Sequence, residues 1–180
     1  MMLMVAAGFH LFDTAFGVAG LAWRGGRVAA VAFPQEDVAA VAADLNKRAK
    51  GASEAPPPPA VAEICDAVAD LFAGGDPDFS DIDVDDDGAP PFDRDVWRLA
   101  RAIPLGETRS YGDLAKDLGD VAFSQRVGQA LGRNPFPIIV PCHRVIGAGG
   151  AMTGFSTAGG VEAKRRLLKL EGALPPELFD

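Results

Sequence analysis

The sequence predicts an α/β chain in two domains, and three observations carry that prediction. Two short apolar stretches within residues 1–33 flank Arg24-Gly25-Gly26-Arg27, the pattern of a β-hairpin. Beyond them, apolar residues recur at helical spacing in several separate segments. Between these segments lies a strongly acidic run, residues 76–95, which contains Gly88-Ala89-Pro90-Pro91. A boundary near Pro90 divides the chain into 1–90 and 91–180. The 180 residues are 48% hydrophobic and 23% charged, which supplies a buried core and excludes a disordered chain.

The second arm of the hairpin runs from Val28 to Phe33 and ends at Pro34. Val38, Val41, Ala42 and Leu45 space out a helix within 36–50. Glu54 to Pro59 is too proline-rich for a helix interior. Val61, Ile64, Cys65, Val68, Leu71 and Phe72 mark a second helix, ended by Gly74-Gly75. Cys65 lies on its apolar stripe and reads as core packing. The Asp85-Asp86-Asp87 run lacks the glycine and terminal glutamate of a calcium loop and reads as a solvated linker. Phe92, Val96, Leu99, Ala100 and Ile103 mark a third helix stopped by Pro104.

Ser110 and Asp113 have capping-box spacing for a helix through Leu118. Ser124 is placed to cap the next helix, which runs to about Arg133 and stops at Asn134-Pro135. This pair fits helix-turn-helix spacing, and equally an ordinary helical hairpin. Ile138-Ile139-Val140 reads as a short buried strand leading into Pro141-Cys142-His143-Arg144. A Gly-rich stretch, 147–160, precedes an amphipathic helix over Val161, Leu167, Leu168 and Leu170 that closes at Gly172.

Composition also excludes several classes. No apolar run reaches 18 residues, so no membrane span is expected. Met1-Met2-Leu3-Met4, with no basic residue before Arg24, makes a poor signal peptide. The two cysteines, Cys65 and Cys142, form neither a disulfide framework nor a metal motif, which points to a reducing compartment. The net charge of −8 is unevenly spread. Residues 1–95 hold 6 Lys/Arg against 17 Asp/Glu, and 121–170 hold 7 against 1. Two solvated faces of opposite sign would give these counts, and so would a local basic surface for a phosphate-bearing partner.

Cys142 is the residue with chemistry in its surroundings. It follows an apolar run and a proline, and His143 and Arg144 come directly after it. Positive charge or a polarised histidine favours the reactive thiolate. On an extended chain His143 would face away from the sulfur, so a water or a local turn must connect them. A buried packing cysteine is the competing reading. His10 and Cys65 are the remaining candidate soft ligands, too few for zinc.

The run Asn134-Pro135-Phe136-Pro137-Ile138-Ile139-Val140-Pro141-Cys142-His143-Arg144-Val145 resembles the active-site signature of the O6-alkylguanine-DNA alkyltransferases. The resemblance extends upstream through Ile103-Pro104-Leu105-Gly106-Glu107-Thr108-Arg109-Ser110-Tyr111-Gly112. Downstream it takes in Gly154-Phe155-Ser156, Gly159-Gly160 and Glu171-Gly172, and it covers roughly residues 92–172. It implies a ribonuclease-H-like α/β N-terminal domain and a mostly helical, winged-helix-like C-terminal domain. The activity it implies is direct-reversal repair of O6-alkylguanine, and of O4-alkylthymine less directly, in double-stranded DNA. No metal or cofactor is implied, and the protein is expected to act as a cytoplasmic monomer, at the nucleoid when bound to DNA.

On this resemblance Cys142 is the acceptor nucleophile, His143 its base through a water, and Glu171 the group that orients His143. Asn134 braces the turn before the active-site strand. Tyr111 hydrogen-bonds the flipped base and helps neutralise the leaving guanine. The Cys142 and Val145 carbonyls hold the exocyclic amine, and Ser156 and Phe155 lie at the modified oxygen and the pocket lip. The recognition helix, Ser124 to Arg133, implies DNA contacts from Ser124, Gln125, Arg126, Gln129 and Arg133, with Arg109 beside them. Taken singly, each residue has an ordinary explanation, such as a helix stop at Asn134 or a loop serine at Ser156. A glutamate at Glu171 opposes the helix dipole, which invites a second reason for it.

Two positions depart from the family pattern. The arginine that stands two residues before Val127-Gly128 is Gln125 here, with Arg126 about 100° further around the helix. Phe155 stands where a tyrosine is common. Two other functions remain in play: a non-catalytic lesion sensor, which the presence of Cys142 opposes, and a thiol hydrolase unrelated to DNA built on Cys142 and His143.

Overall fold

The computed structural model describes residues 7–174. The Met1-Met2-Leu3-Met4 stretch lies outside them. The fold is mixed α/β, and its contacts divide it into two compact units. One holds residues 7–88 together with Pro135–Ile139; the other holds Ala89–Asn134 and residues 140–174.

The first unit opens with three antiparallel strands, β1 (Ala7–Thr14), β2 (Gly17–Arg24) and β3 (Arg27–Gln35). Gly25 and Gly26 both take positive φ, 60° and 77°, as a two-residue turn between right-twisted strands requires. This hairpin is the one the Gly-Gly pair predicts; a second, between β1 and β2, precedes it. That earlier turn has no Gly-Gly pair and is closed by the Thr14 hydroxyl, which donates to the Gly17 carbonyl and accepts from the Phe16 amide. β3 continues through Pro34, which an edge strand tolerates because no partner awaits its missing N–H.

Helix α1 (Val38–Arg48) is capped by Asp37, and its Val41 and Leu45 pack with Ala30 and Ala32 of β3. Strand β4 (Ser53–Glu54) pairs parallel with β1 and completes the order β3-β2-β1-β4. Helix α2 (Pro59–Phe72) sends Phe72 against Phe33 and Phe16, with ring centroids 5.5 and 4.9 Å away. Cys65 is buried in this helix, as its place on the apolar stripe predicts. Burial against both helices explains why Val28 to Phe33 reads as an unbroken apolar run.

The acidic run exposes most of its aspartates and reaches the boundary between the units, as a solvated linker would, but it is also fastened to the first unit. Val84 is buried and bridges Val28 in parallel, and Arg27 gathers the segment. Its guanidinium donates to Asp83, Asp85 and Asp87 at 2.8 to 3.3 Å and to the Val84 carbonyl at 2.6 Å. Charge density that looked suited only to solvent is partly offset by Arg27, with Arg24 on Asp85, at the foot of the hairpin.

The second unit begins with α3 (Pro91–Arg101), whose Trp97 indole donates to the Ala130 carbonyl at 2.9 Å. Strand β5 (Arg109–Ser110) leads into α4 (Tyr111–Asp117), and Ser110 and Asp113 form the expected reciprocal capping box. Helix α5 (Ser124–Gly132) corrects an expectation. Ser124 is its first helical residue, not its cap, and its hydroxyl donates to the Val121 carbonyl. A 3-10 turn, Val121–Phe123, precedes the helix and is capped by Asp120.

Ile138-Ile139 is a buried turn rather than a strand, and Ile138 has φ 78°, a rare conformation for a β-branched residue. Cys142–Arg144 is a 3-10 turn, so alternation along an extended chain does not apply to it. Strand β6 (Val145–Ile146) pairs parallel with β5, and α6 (Gly160–Leu170) closes the unit. The buried face of α6 is Lys164, Leu167 and Leu168, whereas Val161 and Leu170 of the expected stripe are exposed. Among the described residues no helix is long and apolar enough to cross a membrane.

Arg27→Ala removes the group that gathers Asp83 to Asp87. An aspartate-directed protease is expected to cut that segment about tenfold faster, while the melting temperature falls by only about 2–4 °C for a network worth roughly 1 kcal/mol. Unchanged cleavage would show that the Val28–Val84 pairing alone holds the segment.

Candidate active site

The parallel pairing of β5 with β6 positions the site. It sets Arg109 beside Val145 and Ser110 beside Ile146, which brings the first residue of α4, Tyr111, next to the strand that follows Cys142. The 3-10 turn points its three side chains about 120° apart. His143 and Arg144 turn inward and are buried, and Cys142 remains partly accessible.

Both inward side chains meet Glu171, the C-cap of α6. Arg144 Nε and Nη2 donate to its two oxygens at 3.0 Å each, and Nη1 donates to the Ile103 carbonyl at 2.9 Å. His143 Nε2 lies 2.8 Å from Glu171 Oε1. Burial works to raise the Glu171 pKa, and the bonds from His143 and Arg144 outweigh it, so the carboxyl ionises below its ordinary range. Burial pushes the His143 pKa down, with Glu171 pulling the other way. A neutral imidazole therefore donates Nε2–H to an ionised Glu171. Its Nδ1 lone pair is left free, and this buried atom has no hydrogen-bond partner among the described residues. Pairing with His143 and Arg144 is the second reason for a glutamate at this helix end.

Asn134 Nδ2 donates to the Val140 carbonyl at 3.0 Å and closes the turn before Pro141. Tyr111 donates its hydroxyl to the Thr153 carbonyl at 3.0 Å, and its half-buried phenol is held protonated, since burial raises its pKa. A Cβ on Gly128 would stand 3.8 Å from the Tyr111 ring, and one on Gly132 would stand 3.8 Å from Ser156 Oγ. One face of α5 thus looks onto Tyr111 and Ser156. Phe155 is buried and Ser156 exposed. Ser124, at the start of α5, is half-buried.

The other sequence-predicted contacts divide. Gln125 and Gln129 are exposed on α5, and Gln125 shares the face of Gly128 and Gly132, three and seven residues on. Arg126 is directed elsewhere, its guanidinium 3.9 Å over the Phe92 ring. Arg133 is fastened to the buried Asp93 by two bonds of 2.7 and 2.8 Å, and Arg109 to Asp117 at 2.7 Å.

Lys164 joins the site without being among the residues the sequence points to. It is fully buried, and its ammonium donates to the Val145 carbonyl at 2.6 Å and the Thr153 carbonyl at 3.1 Å. The signal was present in the helical period, because Lys164 lies three and four residues before Leu167 and Leu168 on the buried face. A lysine there reads by default as solvated.

A family model described as "6-O-methylguanine DNA methyltransferase, DNA binding domain" matches residues 91–173. A methylated-DNA–protein-cysteine methyltransferase of Salmonella typhimurium is 46% identical over 111 residues, spanning 62% of this chain and 63% of that relative. The Mycolicibacterium paratuberculosis protein of the same name is 45% identical over 126 residues, 68% of this chain and 74% of that one. A crystal structure of Mycobacterium tuberculosis OGT in complex with DNA matches the fold with a TM-score of 0.73 at 34% identity, covering 92% of this chain and 93% of that one.

The His143–Glu171 geometry fixes a pH dependence. The ordinary histidine value is 6.5 and the folded value lies lower, so the unfolded chain binds the proton first as pH falls. Stability is full above pH 6.5 and declines below it. Glu171, also depressed, adds a further loss at lower pH as it is protonated. Proton NMR of the two histidines, assigned with His10→Gln, is expected to show His143 titrating below 6.5, and a midpoint above 6.5 would overturn the neutral-imidazole assignment.

Proposed function

Because the chain belongs to the methylated-DNA–protein-cysteine methyltransferase family, we propose that it repairs O6-alkylguanine in double-stranded DNA by moving the alkyl group irreversibly to Cys142. The observation that carries this reading is the buried His143–Glu171–Arg144 cluster, with a free imidazole Nδ1 one residue from a partly accessible thiol. Nδ1 takes the thiol proton through a water. The thiolate sulfur then bonds the alkyl carbon as the carbon–O6 bond breaks, and that electron pair stays on the guanine. The proton passes to His143, and its charge is balanced first by the thiolate and then by the electron pair left on the guanine.

Tyr111 is the donor that offsets the charge on the departing guanine. The Cys142 and Val145 carbonyls receive the exocyclic amine, and Ser156 and Phe155 form the pocket lip. Nothing in the site can cleave the thioether, so each molecule acts once. The target base must leave the duplex, because its O6 substituent is otherwise out of reach. We read α4 and α5 as the helix-turn-helix of a winged-helix-like domain over 91–180, following a ribonuclease-H-like domain over 1–90. In that reading Ser124, Gln125, Arg126, Gln129 and Arg133 line the DNA side, with Arg109 beside them. Weak sequence readout suits this face, since minor-groove patterns are degenerate and a lesion occurs in any context. The protein acts as a monomer in the cytoplasm, on nucleoid DNA.

Incubation with duplex DNA carrying O6-methylguanine is expected to raise the intact mass by roughly 14 Da, one methylene, in the wild type and not in Cys142→Ala. Binding without a mass change would make the protein a lesion sensor. Neither binding nor mass change would move it to the thiol hydrolases.

Gln125 is the exposed side chain on the pocket-facing side of α5, and it must fill the gap left by the flipped base without a charge. Gln125→Arg is expected to speed methyl transfer from duplex DNA about tenfold, the scale of a lost or gained base-stacking contact. The rate with the free modified base should not change. Equal rates on the duplex would remove Gln125 from the flipping step.

A further inference from the structure

Lys164 is the least expected group in the second unit. It is a fully buried ammonium, and among the described residues no carboxylate pairs with it. An unpaired buried cation is strongly unfavourable unless something compensates it. Its hydrogen-bond partners are two backbone carbonyls, and both belong to the site. Val145 follows the Cys142–Arg144 turn directly, and its carbonyl accepts from Lys164. Thr153 offers one carbonyl to both Lys164 Nζ and the Tyr111 hydroxyl. The ammonium also lies 5.8 Å from the centroid of the Tyr111 ring.

We propose that Lys164 is a positioning residue for alkyl transfer, whose ammonium ties the Val145 carbonyl to the Thr153 carbonyl under Tyr111 and supplies the positive charge that the Cys142 thiolate balances. The inference rests on the alkyl-transfer reading for its substrate, and on the burial of Lys164 and its two carbonyl bonds beside the Cys142 turn for the charge. Counting the buried ions around the turn makes the second part concrete. Glu171 is negative, Arg144 and Lys164 are positive, and His143 is neutral, so the cluster carries one uncompensated positive charge until the thiol ionises. The titratable and charged groups facing Lys164 are Tyr111 from α4, and Cys142 and His143 from the turn. Burial favours the neutral amine, and the sulfur opposes that. Charge on Cys142 and charge on Lys164 therefore support each other, and removing either weakens the other. The carbonyl bonds supply the positioning half. They join the strand that would receive the exocyclic amine to the loop on which Tyr111 rests, so one side chain sets the spacing of both.

The test separates charge from shape. Lys164→Gln keeps N–H donors within reach of the carbonyls and removes the charge; Lys164→Met removes both. The first readout is the pH dependence of Cys142 alkylation by iodoacetamide, followed by mass at that residue. Cys65 does not interfere, because burial pushes its thiol up to about 12. Both variants are expected to shift the alkylation midpoint upward by about one pH unit. At pH 7 both should transfer methyl from O6-methylguanine DNA at least tenfold more slowly, with Lys164→Met the slower. Cooperative melting at or above the wild-type temperature would show that the loss is not unfolding.

Unchanged midpoints in folded variants would overturn the proposal. If neither variant melts cooperatively, the wild type answers the question. Its Lys164 Nζ resonance must move between the intact protein and Cys142→Ser, and superimposable signals would overturn the proposal equally. The alkylation arm needs no DNA. A shifted midpoint in a protein that takes no methyl group from DNA would leave Lys164 standing and overturn the repair reading instead.

Discussion

The ionised carboxylate of Glu171 is the constraint on which the second unit depends. It is buried, and it sits at the end of a helix whose dipole already disfavours negative charge. Such a group survives only with opposite charge and donors on both oxygens, and Arg144 and His143 provide them. Two consecutive residues must then reach one point. An extended strand cannot do this, because it sends neighbours to opposite faces, whereas a 3-10 turn can. Curling residues 142–144 inward for Glu171 leaves Cys142 as the side chain of the turn that still reaches the surface. The accessibility of the thiol is thus a consequence of its neighbours' burial.

The same constraint assigns the protons. Arg144 already neutralises Glu171, so a second positive charge on His143 would be poorly compensated in a buried setting, and the imidazole stays neutral. With Nε2–H committed to the carboxylate, the lone pair can only be on Nδ1. A base that is neutral, oriented and free of any other partner follows from one buried glutamate. The turn is anchored from its other end by Asn134, whose amide closes on the Val140 carbonyl, so the segment entering the site is held before Pro141 begins.

Much of this was legible in the sequence, and what was not has physical causes. The Gly25-Gly26 hairpin, the Ser110–Asp113 capping box and the α2 stripe rest on local rules, and local rules decided them. The Thr14 turn was hard to see because its positive-φ glycine, Gly17 at 122°, follows the turn instead of lying within it, and a side-chain hydroxyl closes the loop. Ile138-Ile139-Val140 looked like a strand because apolar runs and β-branching are shared by buried strands and buried turns; only the positive φ at Ile138 separates them. Ser124 has the composition of a cap, but the chain had already started turning at Asp120. The candidate nucleophile, base and orienting acid carried a family signature, whereas Lys164 carried none. Its burial depends on two backbone carbonyls that no side-chain pattern reports.

Charge counting shows the same limit at the proposed DNA face. The excess of basic residues over 121–170 suggests a strongly cationic surface, yet the fold removes several of them from that role. Arg144 and Lys164 are buried in the site, Arg133 is fastened to Asp93, and Arg165 leans on Glu162. Arg126 keeps its charge while lying over Phe92. What α5 offers on the pocket side is an uncharged glutamine and two glycines, a face with little bulk and no formal charge. Such a face gains from close backbone approach and shape more than from phosphate attraction, which leaves fewer counterions to release on binding. On the proposed route, in which the target base leaves the duplex, recognition rests on how readily a damaged base leaves its stack, a property of the lesion rather than of the sequence around it.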